Sequence, residues 1–144
     1  MATKRETLQK TVDRLVVRPQ VQEFLKKNAH FRRSLAAFKP KVRVVPLMDF
    51  REDFDIAGCT FDHKSIFLAP WILVDREEAI RTVVHELAHS MVFFCWGDEG
   101  DAHGKQWKSA LKLVAGRGYR KYFGWLMSPK LMKARRKFRA EEPR

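Results

Sequence analysis

"TVVHELAHSMVFFCWGDEGDAHGKQW", residues 82–107, carries three of the chain's five histidines. His85 and His89 stand four residues apart with Glu86 beside the first, and His103 follows a turn rich in glycine and acid. On a helix, positions i and i+4 share one face, with Cβ atoms about 5–6 Å apart. One ion can bridge two imidazoles so placed, at Zn–N distances of about 2.0–2.1 Å. Glu86 then neighbours a ligand without being one, where it can take a proton from a water on the metal. The competing reading is a pair of buried histidines satisfied by carbonyls. Helix, cap and apolar face agree around the motif, which favours the metal.

The helix begins at Asp75, which can cap it, with Glu78 three residues on placed to reach back in a capping box. Ile80, Val83, Val84, Leu87, Ala88, Met91, Val92 and Cys95 recur with a 3.6-residue period and form a wide apolar stripe, the mark of a buried spine. Gly97 and Gly100 stop it. A second helix is predicted over residues 105–115, with Trp107, Leu111 and Val114 facing inward and Trp107 holding His103 in register.

A catalytic zinc keeps three protein ligands and one open position. A metzincin would continue with Gly and His three and six residues after His89, where this chain has Val92 and Cys95. A thermolysin-like site would draw a glutamate from the next helix, yet residues 105–116 contain no acid. His103 remains, with Asp98, Glu99 and Asp101 as rivals in the connecting loop; the preference of zinc for imidazole favours His103.

Upstream, residues 5–38 read as two or three short amphipathic helices, with Leu8, Val12, Leu15 and Val16 on one face and then Val21, Phe24 and Leu25 after Pro19. "KVRVVPL", residues 41–47, alternates basic with apolar side chains and contains Pro46, which suits an edge strand. "DIAGCTFDHKSIFLAP", residues 55–70, reads as a hairpin: a strand near residues 56–61, a turn at 62–64 and a strand at 65–68. Downstream, "AGRGY" is a helix stop, and "PKLMKARRKFRAEE", residues 129–142, is predicted to be an exposed basic helix. Trp96 and Trp125 could stack on bases, although packing is their commoner use. His30 and His63 have no partner at ligand spacing and read as surface residues.

At this point the residues resemble a known family. "HELAH" with "HGKQW" beginning fourteen residues after His89 is similar to the SprT-like zinc metalloproteases, the group that includes bacterial SprT and eukaryotic Spartan. "AGCTFDHKSIFLAPWIL" resembles the hairpin that runs into the active-site helix of that family, and the likeness covers roughly residues 41–123. The resemblance implies His85, His89 and His103 as zinc ligands, Glu86 as the base, and DNA-dependent proteolysis, notably of proteins crosslinked to DNA. One departure is plain. Many members carry a four-cysteine zinc ribbon after the core, whereas this chain's two cysteines, Cys59 and Cys95, both precede His103.

Charge bears on the DNA question. The formal net charge is +12. Residues 1–43 hold 12 Lys/Arg against 3 Asp/Glu, residues 44–104 hold 4 against 12, and residues 105–144 hold 13 against 2. An acidic centre between basic arms suits a polyanion gripped around a site that must hold a cation. Arg32, Arg33, Lys130, Lys133, Arg135, Arg136, Lys137 and Arg139 are the candidate DNA contacts, giving salt-sensitive and sequence-independent affinity. Solvated lysine-rich helices are the plainer use of the same charges.

The chain is thus expected to be an α+β protein with a zincin-like core, its small sheet and hairpin packed on the active-site helix. Its expected parts are a basic helical region at 1–40, the protease core at 41–125 and a basic tail at 126–144. With 144 residues and 45% apolar content it has the length of one core. Two cysteines without a CxxC pair, no signal-like segment and no membrane-length apolar run predict a cytoplasmic location; a monomer is expected, with the DNA partner placing it at the nucleoid. The expected function is a zinc endopeptidase with one Zn2+, a protein substrate, and single-stranded or irregular DNA as partner. A zinc-stabilised DNA-binding module without activity, and a zinc peptidase acting on soluble proteins, are the alternatives. Tyr119, Arg120 and Tyr122 are the candidates to steady the oxyanion.

Overall fold

A computed structural model of the chain describes residues 2–29, 34–45, 57–97, 103–122 and 129–141. His30, Arg32, Arg33, Asp98, Glu99, Gly100, Asp101 and Trp125 lie outside the described residues, as do the start of the expected hairpin at Ile56 and the end of the expected edge strand. The architecture is mostly helical with one small three-stranded sheet, consistent with the α+β expectation.

Helix α1, Lys4–Val16, opens on a full capping box between Thr3 and Glu6, a signal the sequence reading passed over. It buries Leu8, Val12, Leu15 and Val16, the predicted face. Pro19 starts α2, Pro19–Asn28, which buries Val21 and Leu25 and leaves Phe24 edge-on to Trp96 at 6.1 Å. Trp96 is therefore half-buried packing, as the plainer reading has it.

Strand β1, Lys41–Val44, runs parallel to β3, Ser65–Leu68, which lies between β1 and β2. β2, Gly58–Cys59, pairs antiparallel with β3 and is shorter than the expected strand. The turn between them is held by Asp62, whose Oδ1 accepts from the backbone N–H groups of Lys64 and Ser65 at 2.8 and 3.1 Å. His63 in this turn is not a plain surface residue, since its ring stands edge-on to Phe94 at 5.5 Å.

β1 is an edge strand, and α1 covers its outer side. The Val42 N–H donates to Gln9 Oε1 at 2.7 Å, and Gln9 Nε2 donates to the Pro40 carbonyl at 3.0 Å. Arg5 Nη1 donates to the Val42 carbonyl at 3.4 Å. One glutamine amide thus makes two of the hydrogen bonds that a neighbouring strand would make.

Helix α3, Arg76–Trp96, follows a 3-10 segment at Pro70–Val74. Asp75 caps it by accepting from the Glu78 N–H at 3.2 Å. The reciprocal half of the expected capping box is missing, because Glu78 Oε1 turns to Arg81 at 3.1 Å instead. Burial raises the Glu78 pKa, against the opposing pull of Arg81. Gly97 ends the helix in the left-handed conformation at φ 81°, its N–H reaching the Phe93 carbonyl. α3 is buried on nearly all sides: α1, α2, the sheet and α4, Lys105–Ala115, pack around it. No helix among the described residues is long and apolar enough to cross a membrane.

The tail departs most from expectation. Helix α5, Pro129–Glu141, packs on the 3-10 segment at Pro70–Val74, with Leu131 fully buried and Arg135 over the Trp71 ring at 6.0 Å. Leu131, Ala134 and Phe138 recur at i, i+3 and i+7, a narrow apolar stripe easily overlooked among six basic residues. Lys130, Lys133, Arg136 and Lys137 keep their exposure.

Candidate metal centre

α3 sets the first two imidazoles. His85 and His89 lie one turn apart on the face turned toward α4, and both sit in the part of the helix covered by Trp107. Gly104 forms the N-cap of α4 without a side-chain cap, and His103 just before it is carried over the end of that face. The three Nε2 atoms are 3.2 Å from one another, a nearly equilateral triangle. The ligand atoms of these three residues can hold a metal ion. His89 is buried, His85 is half-buried and His103 is exposed, so the triangle has a closed side and an open one.

The donor set fits a zinc ion. Bonds of about 2.0–2.1 Å at tetrahedral angles place ligand nitrogens about 3.3–3.4 Å apart, close to the observed spacing. The tautomer of His85 also fits. Its Nδ1 is 2.7 Å from the Tyr122 carbonyl, which can only accept, so Nδ1 carries the proton and Nε2 presents its lone pair to the triangle. Burial pushes the His85 imidazole from its ordinary 6.5 down to about 4, against the Tyr122 hydrogen bond, and His89 and His103 add to the fall. It therefore stays in the neutral, metal-binding form.

Trp107 braces the triangle from beneath. It is 1% exposed, its ring is stacked on His89 at 5.2 Å and stands edge-on to His103 at 4.7 Å, and its Nε1 donates to the His85 carbonyl at 3.3 Å. The predicted role of Trp107 was to hold His103; it touches all three histidines. Glu86 is also buried, and its Oε2 accepts from Thr60 Oγ1 at 2.6 Å, the length of a charge-assisted bond.

Two contributors escaped the sequence reading. Tyr122 was considered for its phenol but acts through its carbonyl, at the end of the 3-10 segment Gly116–Tyr122, and no side-chain pattern reports a carbonyl. Thr60 carried no motif; it lies just past the end of β2, two residues after Gly58. Tyr119 and Arg120 are linked to each other: a hydrogen bond from Arg120 lowers the Tyr119 pKa, and Lys112 Nζ lies 5.1 Å from the ring centre. Asp98, Glu99 and Asp101, the rival third ligands, lie outside the described residues, as do Arg32 and Arg33; the side chain of Arg139 is likewise outside them.

A family model described as the SprT-like family matches residues 20–122, reaching further toward the amino terminus than the resemblance in the motifs alone. No curated protein and no solved structure matches the chain.

Proposed function

This chain belongs to the SprT-like family, a membership that points to metallopeptidase-type chemistry, and from it we propose a zinc-dependent endopeptidase with a zincin-like core. His85, His89 and His103 hold the ion, and Glu86 is the general base. The observation that carries this reading is the triangle of Nε2 atoms, each 3.2 Å from the others, with the His85 tautomer set by the Tyr122 carbonyl and a buried carboxylate on the next residue. A site that only stabilised the fold would need neither an exposed side nor that carboxylate.

When bound, zinc supplies Lewis acidity toward the scissile carbonyl and toward a water beside it. Glu86 takes a proton from the water as its oxygen bonds to the carbonyl carbon. Glu86 then passes that proton to the amide nitrogen as the C–N bond breaks, leaving a carboxyl group and an amine. Trp107 keeps bulk water from the underside of the histidines. An extended substrate would run beside β2, because the outer side of β1 is taken by Gln9 and β2 lies nearer Glu86 through Thr60.

The partner in this reading is DNA, and the substrates are proteins held on it. Support comes from the exposed Lys130, Lys133, Arg136 and Lys137 of α5 and from exposed Lys105, Lys108 and Lys112 of α4, the helix that begins two residues after His103. The test combines metal analysis with digestion of casein and of histone, with and without single-stranded DNA. One zinc per chain and cleavage that rises with DNA are expected. Cleavage that persists after exhaustive metal removal would overturn the mechanism, and cleavage indifferent to DNA would leave a peptidase of soluble proteins.

A further inference from the structure

Strand β2 and helix α3 approach one another unusually closely. A Cβ on Gly58 would stand 2.8 Å from Thr82 Cγ2 and 3.0 Å from the Phe67 carbonyl oxygen, so only glycine lets the strand lie this near the helix. Two residues further along the chain, Thr60 Oγ1 donates to Glu86 Oε2 at 2.6 Å; the same oxygen lies 3.3 Å from the Glu86 carbonyl. The two contacts are in step. Gly58 to Thr60 advances about 6.6 Å along an extended chain, and Thr82 to Glu86 advances about 6 Å along a helix. Contact at the first pair therefore brings the second pair into register.

We propose that Thr60 is the positioning residue for the Glu86 carboxylate, and that Gly58 sets the strand-to-helix distance at which it works. The inference rests on Glu86 being the base. The Thr60 hydroxyl has one proton, and at 2.6 Å it goes to Oε2. This ties one carboxylate oxygen to the sheet and fixes the plane of the group, so that the other oxygen keeps one direction for the proton transfer. A displacement of about 1 Å at a reacting group can cost about a hundredfold in rate. A carboxylate free to rotate at the end of a three-torsion side chain would lose part of that. The hydroxyl also joins the base to the strand beside which the substrate is proposed to lie.

Thr60→Val removes the hydroxyl and keeps the branched shape; Thr60→Ser keeps the hydroxyl. With casein as substrate, Thr60→Val is expected to lower kcat by between about 10-fold and 100-fold, with KM and the metal content of one ion per chain unchanged, and Thr60→Ser to stay within about twofold of the parent. The second measurement needs no turnover. In the metal-free chain, the drop in melting temperature from Thr60→Val should disappear in a Glu86→Ala background, because the partner is already gone. A Thr60→Val protein with parental kcat, an equal loss in Thr60→Ser, or melting shifts that simply add would each overturn the proposal. If the parent cleaves no protein at all, the peptidase reading fails, and the melting cycle alone decides whether Thr60 holds Glu86.

Discussion

A glutamine at position 86 would keep the size and shape of the side chain and remove its basic oxygen. Glu86→Gln is expected to retain about one zinc per chain and the parental fold while proteolysis falls by at least about 10²; near-parental cleavage would remove Glu86 from the chemistry. His103 is the exposed corner of the triangle, carried in the turn just before α4 and not on α3 with the other two ligands. His103→Ala should therefore lose metal affinity without unfolding α3, read by competition with a chromogenic chelator. Tight binding that survives there and is lost in an Asp98, Glu99 or Asp101 variant would name a different third ligand. His85 makes a pH prediction as well. Its folded pKa of about 4 lies below the ordinary 6.5, so between those values the unfolded chain binds a proton that the folded chain does not. Stability of the metal-free protein should then rise with pH across that window and be lost as pH falls through it, and urea midpoints should show a shallower dependence in His85→Gln. These residues were legible because metal ligation demands side-chain types at fixed spacing. Thr60 and the Tyr122 carbonyl were not, because their roles exist only once strand and 3-10 segment are folded against α3.

At the scale of elements, α3 and α4 were readable nearly to the residue, since a long apolar stripe with a cap and a stop leaves little choice. The sheet was harder. β2 shows only two paired residues, and neither its length nor the parallel pairing of β1 with β3 follows from alternation along a short segment. α5 was read by its charge, and its stripe of Leu131, Ala134 and Phe138 went unused. Its docking on the 3-10 segment at Pro70–Val74, with Leu131 buried, makes the tail part of the core. Leu131→Ala is expected to cost about 2–5 kcal/mol in urea unfolding, and a chain ending before Pro129 should be destabilised at least as much. If that truncation unfolds at the parental midpoint, α5 is only a solvated appendage.

For the whole molecule, the separation of charge into basic ends and an acidic middle sets the response to salt. Reversing Lys130, Lys133 and Lys137 to glutamate touches exposed positions and should leave the melting temperature near the parental value. If these side chains contact DNA phosphates, the log–log salt slope should shrink by up to about 2–3, at about 0.7–0.9 per contact. An unchanged slope would move the DNA contact to the exposed Lys105, Lys108 and Lys112 of α4 or to the amino-terminal arm.

The amide of Gln9 on the outer side of β1 has a bearing on how copies of the chain behave toward each other. A bare strand edge is a template on which another chain can pair, and growth of that kind ends in insoluble hydrogen-bonded aggregates. Here Gln9 and Arg5 of the first helix cover the β1 side of the sheet, using hydrogen-bonding groups that a second copy would need. Release of α1 by proteolysis would therefore expose the β1 edge, adding to the β2 edge a second place where another chain could pair.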